Sequence, residues 1–225
     1  MAERTQFPMT VMLSARDMKT EAAFFTETLG FTMKEAWPDR ENPLWANFVM
    51  DRQSVMLGAL MSPQDAEKMC AGDAGAMKYM KTLHDEFQAN RPGVGVMIYI
   101  QVPDVDAYHA RVAAKHGERV SAPKTQFYGQ REFALQDPEG YRFMFYTPVK
   151  MEQCQSCGMP LADAKPGQLY CPYCADEKGS LKPYETIFEG TVSGYFMGTM
   201  KMSRADAERA AREHLKKMPA WAGRV

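Results

Sequence analysis

The sequence predicts an α+β protein built from two βαβββ modules, followed by a small cysteine-bearing region with a terminal helix. Three observations carry this expectation. The first is an internal repeat: Val11 to Asp17 is followed 13 residues after Asp17 by Gly30, and Ile98 to Asp104 is followed at the same interval by Gly117, an offset of 87 throughout. The second is a set of short strand-like runs after each helix-like segment. The third is the placement of cysteine: four of the five lie between residues 154 and 174, and the 150 residues before them hold only Cys70.

Asp17 and Asp104 can cap the helices that follow them, and Gly30 and Gly117 can take the left-handed conformation that ends those helices. Met18, Ala22, Phe25 and Leu29 fall on one helical face, and Val105, Tyr108 and Val112 trace the same face in the second copy. Strand-like sequence follows at Phe31 to Trp37, Leu44 to Met50 and Ser54 to Leu60, and again at Arg119 to Pro123, Gly129 to Gln136 and Tyr141 to Thr147. Asp51-Arg52-Gln53 and Asp137-Pro138-Glu139-Gly140 serve as tight turns before each last strand. Between the copies, Pro63 to Asn90 reads as helical, with Met77, Met80, Leu83, His84 and Phe87 on one face. Within the same stretch, Ser62 to Ala76 is rich in small residues and suits either a mobile flap or an ordinary surface loop. The cysteine asymmetry sets the expected domains at 1–150 and 151–225.

Composition removes several function classes. With 27 Lys and Arg against 28 Asp and Glu, a net charge of −1 and a pI near 6.4, the chain has no global electrostatic reason to bind nucleic acid or an anionic membrane. Its longest apolar runs, Ser54 to Met61 and Val94 to Ile100, are strand-sized and far short of the roughly 18 residues a spanning helix needs. Glu3, Arg4 and Pro8 interrupt the place where a secretory signal would need an apolar core, so a cytoplasmic location is expected.

The residues Phe24-Phe25-Thr26-Glu27-Thr28-Leu29-Gly30-Phe31 resemble the "FY…LGF" signature of the vicinal oxygen chelate superfamily, the glyoxalase, bleomycin-resistance and extradiol-dioxygenase group. Phe133 to Gly140 resembles the same family's "DPDG" turn. The resemblance covers about residues 7 to 148. It implies paired βαβββ modules that form curled sheets around a cup, often completed in a homodimer, and it does not fix function.

Metal-dependent members take one His, Gln or Glu from the first and last strand of each module. Strand alternation aims Met97, Tyr99 and Gln101 toward the cup while Val96, Ile98 and Ile100 face the helix, and it aims Thr10 and Met12 opposite Val11 and Leu13. The family's four ligand positions then carry Thr10, Met56, Met97 and Met144, none of them a hard-metal ligand. The four His residues, at 84, 109, 116 and 214, fall on helices or near the C-terminus, and His109 and His116 stand ~10 Å apart along their helix, too far for one ion. Three Met at the vacated positions would suit a soft ion such as Cu(I), but Met fills cavities in a chain with 19 of them, and packing is the reading adopted. The expected cup wall is Met97, Tyr99, Gln101, Arg142, Met144 and Tyr146, with Trp37 and Trp45 near its rim. An inward Arg142 needs a carboxylate, a phosphate or a ring, unless it pairs with a neighbouring acid or reaches solvent.

The second region is read more directly. Cys154-Gln155-Ser156-Cys157 and Cys171-Pro172-Tyr173-Cys174 form C-x2-C, thirteen residues, C-x2-C, and two such turns bring four thiolates to one tetrahedral point. One structural zinc per chain is expected there, because the apolar residues of the segment reduce to Leu161, Leu169 and Tyr170 and metal must supply the stability. Met202 to Met218 reads as a helix, with a Ser203/Asp206 capping box and Glu208/Arg212 and Glu213/Lys217 pairs. The arrangement over residues 152 to 222 resembles a zinc-ribbon family of bacterial proteins without an assigned role. From Lys201 to Val225 there are 7 basic and 3 acidic residues, the one local hint of nucleic-acid contact, which a solvated helix face explains as well.

These readings converge on a metal-free cup that binds a small aromatic or amphipathic molecule for sequestration or sensing, in a homodimer, joined to a structural zinc ribbon. Membrane and nucleic acid are not expected partners. The alternatives are an enzyme of the same superfamily, of lyase, isomerase or dioxygenase type, and a ligand-sensing regulator whose ribbon contacts nucleic acid or protein.

Overall fold

The computed structural model describes residues 10–70 and 72–224. Glu3, Arg4 and Pro8, which carried the secretion argument, and Ala71 within the flap segment lie outside the described residues. The first module runs β1 (Val11–Ala15), α1 (Met18–Ala23), β2 (Thr32–Trp37), β3 (Trp45–Met50) and β4 (Gln53–Ala59). The connecting segment forms α2 (Pro63–Cys70) and α3 (Ala74–Ala89). The second module runs β5 (Met97–Gln101), α4 (Val105–His116), β6 (Lys124–Thr125), β7 (Gln130–Gln136) and β8 (Arg142–Pro148). Helices α5 (Tyr184–Gly190) and α6 (Arg204–Leu215) lie in the C-terminal region. Two four-stranded sheets result, ordered β1-β4-β3-β2 and β5-β8-β7-β6, so the repeat in sequence is a repeat in topology. In each, the first strand pairs in parallel with the last.

The repeat also explains the helix ends, with one exception. Asp17 accepts from the N–H groups of Lys19 and Thr20, and Asp104 from those of Asp106 and Ala107, which satisfies donors that a helix leaves orphaned. Gly30 is left-handed at φ 77° as expected. Gly117 is not: at φ −49° it continues α4 into a single 3-10 turn over Gly117–Arg119, and this turn takes the place of the start of the expected strand Arg119 to Pro123. That strand reduces to a bridge between Val120 and Leu135 and the two residues of β6. Ser62 to Ala76 is largely helical, since α2 starts at Pro63 and Asp73 caps α3 through the N–H groups of Gly75 and Ala76. The apolar face expected on α3 is present but only half buried at Met77, Met80, Leu83 and Phe87.

Contacts divide the described chain into two compact units. Among the described residues, one comprises 10–123 and 133–146; the other comprises 124–132 and 147–224. In the first unit a single aromatic core joins both modules. Phe25 meets Phe31, Phe48 and Phe143 at ring distances of 5.5, 5.3 and 5.8 Å, and Tyr108 stacks on Phe145 at 4.6 Å. The last carbonyls of the first module's helix are then capped from α4: Lys115 donates to Glu27, Arg111 to Thr28 and Leu29, and the Tyr108 hydroxyl to Leu29 at 2.7 Å. α1 lengthens into a π-turn over Phe24–Thr28 just before this contact. In the second unit, the Val149 N–H donates to Gly129 and the Gly167 N–H to Val149, which ties residues 124–132 to the region after Thr147. Among the described residues no helix is long and apolar enough to cross a membrane.

Glu21 occupies the position equivalent to Tyr108 under the 87-residue offset, and it likewise crosses to the other module, accepting from the Glu139 N–H at 2.8 Å. Both Glu21 and Asp137 are 1% exposed, and Glu21 Oε2 and Asp137 Oδ2 have no hydrogen-bond partner among the described residues. Burial, then the charge of Asp137, pushes Glu21 up to about 8, with Arg119 opposing in part. Burial likewise lifts Asp137 to about 7, although the Gly140 and Tyr141 N–H groups stabilise its charged form. Folded-state values above the unfolded ones mean that the native protein binds more protons, so this pair favours folding at low pH and loses that contribution as pH rises through about 7 to 8. Replacing Glu21 by Gln is expected to flatten the fall in urea-unfolding stability between pH 5 and 8.5, a change on the order of 1 to 3 kcal/mol. An unchanged slope in that variant would place the pH dependence elsewhere.

Candidate functional site

The aromatic core takes up one face of each sheet, and alternation sends the other face outward. Leu13, Val55, Leu57, Ile100, Phe143 and Phe145 are buried, whereas Met12, Met97 and Tyr99 between them are 57, 55 and 48% exposed. The expected alternation holds within all four strands, although Val96, expected on the helix side, precedes β5 and is exposed. Met97, Tyr99, Gln101, Arg142, Met144 and Tyr146 share one face. On it Met97 lies beside Arg142, Tyr99 beside Met144 and Gln101 beside Tyr146, with the Tyr99 and Tyr146 rings 6.1 Å apart.

The pairing refines which residues sit opposite one another. Met56 is in register with Met12, not Thr10, and Met144 with Tyr99, not Met97. These two pairs are related by the repeat, with offsets of 87 and 88. The central row of the first face is Asn47, Met56 and Met12, and Met12 Cε descends over Gly58, where a Cβ would come within 2.4 Å of it. Trp37 and Trp45 are cross-strand neighbours at the edge of the same sheet. Trp37 also lines a cleft of about 500 Å³ with Leu44, Met61, Asp65 and Lys68. The imidazoles are all engaged elsewhere: His84 with the Met61 carbonyl, His109 against the Phe133 ring, His116 with the Thr28 hydroxyl and His214 with the Cys157 carbonyl.

The four cysteines converge as expected. The ligand atoms of Cys154, Cys157, Cys171 and Cys174 lie within 4.8 Å of one another, and among the described residues they are the only such group of three or more His, Cys, Asp or Glu. Cys157 and Cys171 Sγ are 3.7 Å apart, far beyond a disulfide bond. A tetrahedral ion with metal–sulfur bonds of ~2.3 Å requires sulfur separations of ~3.8 Å, so the donor set fits zinc. Without a cation the thiols have to share protons: contacts from Cys157 and Cys174 hold Cys154 far below the ordinary thiol range, while the contact with Cys154 pushes Cys157 up to about 12 against an opposing contact from Cys174. The Cys171 N–H donates to Cys154 Sγ at 3.3 Å, an interaction that favours the thiolate.

Here the structure adds what the cysteine spacing could not show. The first knuckle exposes three successive carbonyls, and each is capped from the C-terminal segment: Gln155 by the Ala220 N–H at 3.0 Å, Ser156 by the Trp221 indole N–H at 3.1 Å, and Cys157 by His214 at 2.8 Å. Ile187, Leu215 and Trp221 join Leu161, Ala164 and three of the cysteines in one buried cluster. The segment itself is poor in apolar residues, as expected, and helices distant in sequence add the rest of the core. The expected Glu208/Arg212 pair is also replaced: Glu208 binds Arg204, which also grips Glu189, while Arg212 lies over the Phe188 ring. Arg209 pairs with Asp206. Cys70 stands apart at the end of α2.

The chain is similar in fold to many solved structures. One is TioX from Micromonospora sp. ML1, at 19% identity and a TM-score of 0.45, covering 62% of this chain and 96% of that one. Another is TnmS3, an antibiotic binding protein from Streptomyces sp. CB03234, at 20% identity and a TM-score of 0.41, covering 62% and 93%. A third is a lactoylglutathione lyase from Agrobacterium tumefaciens, at 20% identity and a TM-score of 0.40, covering 62% and 91%. No curated relative matches the chain. Residues 153–222 match the family model described as "Putative zinc ribbon domain". Residues 9–145, more than half of the chain, match the model for the Glyoxalase/Bleomycin resistance protein/Dioxygenase superfamily, and the protein belongs to that superfamily.

Proposed function

We propose that this protein is a binder of small aromatic or amphipathic molecules, for sequestration or sensing in the cytoplasm, with one structural zinc held by Cys154, Cys157, Cys171 and Cys174. The observation that supports the binding reading is the outward faces of the two sheets, where Met12 on one and Met97 and Tyr99 on the other stay about half exposed, the latter two beside the polar Gln101 and Arg142. Apolar walls with a few polar groups are how small-molecule sites are made. Exposed apolar side chains on one sheet face also call for a cover, and a second copy of the chain closing the cup as a homodimer meets that need. The superfamily's ligand positions carry Thr10, Met56, Met97 and Met144, donors that suit packing against an organic ligand better than hard-metal catalysis.

Zinc at the four cysteines would join the two knuckles and add its binding energy to the stability of the C-terminal unit. The C-terminal basic surplus does not favour nucleic acid, since Arg204, Arg209 and Arg212 are already engaged within the chain.

Elemental analysis of the purified protein should find close to one zinc per chain, lost in a Cys154→Ser, Cys171→Ser variant; zinc retained by that variant would put a metal on the sheet face and favour the enzyme reading. In thermal-shift screens of planar aromatic compounds, hits should disappear in Met97→Ala with Tyr99→Ala while the melting temperature of the apoprotein barely moves. Phe143→Ala, on the core side of the same sheet, should instead cost about 3 to 5 kcal/mol of folding stability. For duplex DNA at physiological salt, only weak and non-specific retention is expected. Micromolar affinity abolished by Arg209→Glu with Arg212→Glu would establish the regulator reading in its place.

A further inference from the structure

At the end of the β5–β8 face, a cleft of about 390 Å³ has Arg91, Gly93, Glu139 and Arg142 in its lining. Two arginines line this cleft, and among the described residues neither Arg91 nor Arg142 has a hydrogen-bond or ion-pair partner. The single acid in the lining does not neutralise them. Glu139 gives one carboxylate oxygen to the Arg16 guanidinium at 2.8 Å and the other to the backbone N–H groups of Arg16 and Asp17. Two like charges around one concavity repel each other, and that repulsion is relieved by an anion placed between them.

The cleft is also built, not merely exposed. Gly93 is left-handed at φ 67°, and a Cβ on it would come within 2.8 Å of the Tyr141 ring, so the loop lies directly against Tyr141. Tyr141 is itself fixed, its hydroxyl donating to the Ser14 carbonyl at 3.1 Å, and the Val96 N–H closes the loop onto the Gly93 carbonyl at 3.0 Å. Arg142 is in register with Met97, and the next pair along the same face is Tyr99 with Met144. A ligand that reaches the arginines therefore has an apolar and aromatic surface directly beside it.

We propose that the Arg91–Arg142 cleft is an oxyanion site at the end of the sheet face, and that the ligand class of this protein is the amphipathic anion. In such a ligand an aromatic or apolar body lies along Met97, Tyr99 and Met144, and a carboxylate, phosphate or sulfonate group sits between the two arginines. This rests on the binding reading above and specifies the chemistry of its ligand.

The test uses two probes with one aromatic skeleton, 1-anilinonaphthalene-8-sulfonate and its uncharged counterpart N-phenyl-1-naphthylamine, titrated by fluorescence into the full-length protein. The sulfonate is expected to bind about tenfold or more tightly than the neutral probe, as a charge-assisted contact predicts. Arg91→Gln with Arg142→Gln should bring the ratio to about one with the neutral probe unaffected and the melting temperature unchanged. Equal affinities in the wild type, or a preference that survives the double arginine variant, would overturn the oxyanion site. Met97→Ala with Tyr99→Ala should weaken both probes together and keep their ratio. If that variant changes neither, the sheet face is not the binding site and the underlying reading fails, independently of the arginines. A wild type that binds neither probe overturns both.

Discussion

The contact of Phe25 with Phe143 places the helix of the first module against the last strand of the second, and the architecture of residues 10–146 follows from this shared core. A βαβββ unit of this size buries only a modest fraction of its apolar surface by itself, and here each module covers its helix-side face with the other. Strand alternation then leaves the opposite face of each sheet outward, with whatever side chains the alternate positions carry. In this chain those are Met12, Met56, Met97, Tyr99, Met144 and Tyr146. The same joint buries Glu21 and Asp137 in a place where their charged forms are poorly solvated, which makes the core proton-dependent.

The C-terminal unit answers the same shortage of core by other means. Two knuckles bring four sulfurs together, and the turn that does so leaves the carbonyls of residues 155, 156 and 157 to be satisfied from outside it. Buried carbonyls need donors, and His214, Ala220 and Trp221 provide them from more than fifty residues away. Three hydrogen bonds on one turn thus tie the first knuckle to the C-terminal segment.

The two arginines at the end of the β5–β8 face give that surface a direction. An apolar wall alone holds a ligand without orienting it, whereas a fixed charge at one end selects both its polarity and its pose. Arg142 connects the two parts because it belongs to the strand that forms the wall and to the cleft that ends it.

Much of this was determined by the sequence. The 87-residue offset gave the duplicated topology, period-two alternation gave the inward and outward sets in β1, β4, β5 and β8, and the cysteine spacing gave the metal-type cluster. These are local properties, set by backbone geometry within a few residues, and they survive folding unchanged. What only tertiary structure decided depends on residues far apart in the chain. Gly117 stays helical although its repeat mate Gly30 turns. Met12 and Tyr99, not Thr10 and Met97, stand opposite Met56 and Met144, because parallel pairing fixes register across forty residues or more. The caps on the first knuckle, the pairing of Arg204 with Glu189 and the meeting of Arg91 with Arg142 are likewise contacts between distant segments. No periodicity encodes them; they exist because the helices and strands that carry these residues are held together by a core that forms only when the chain has folded.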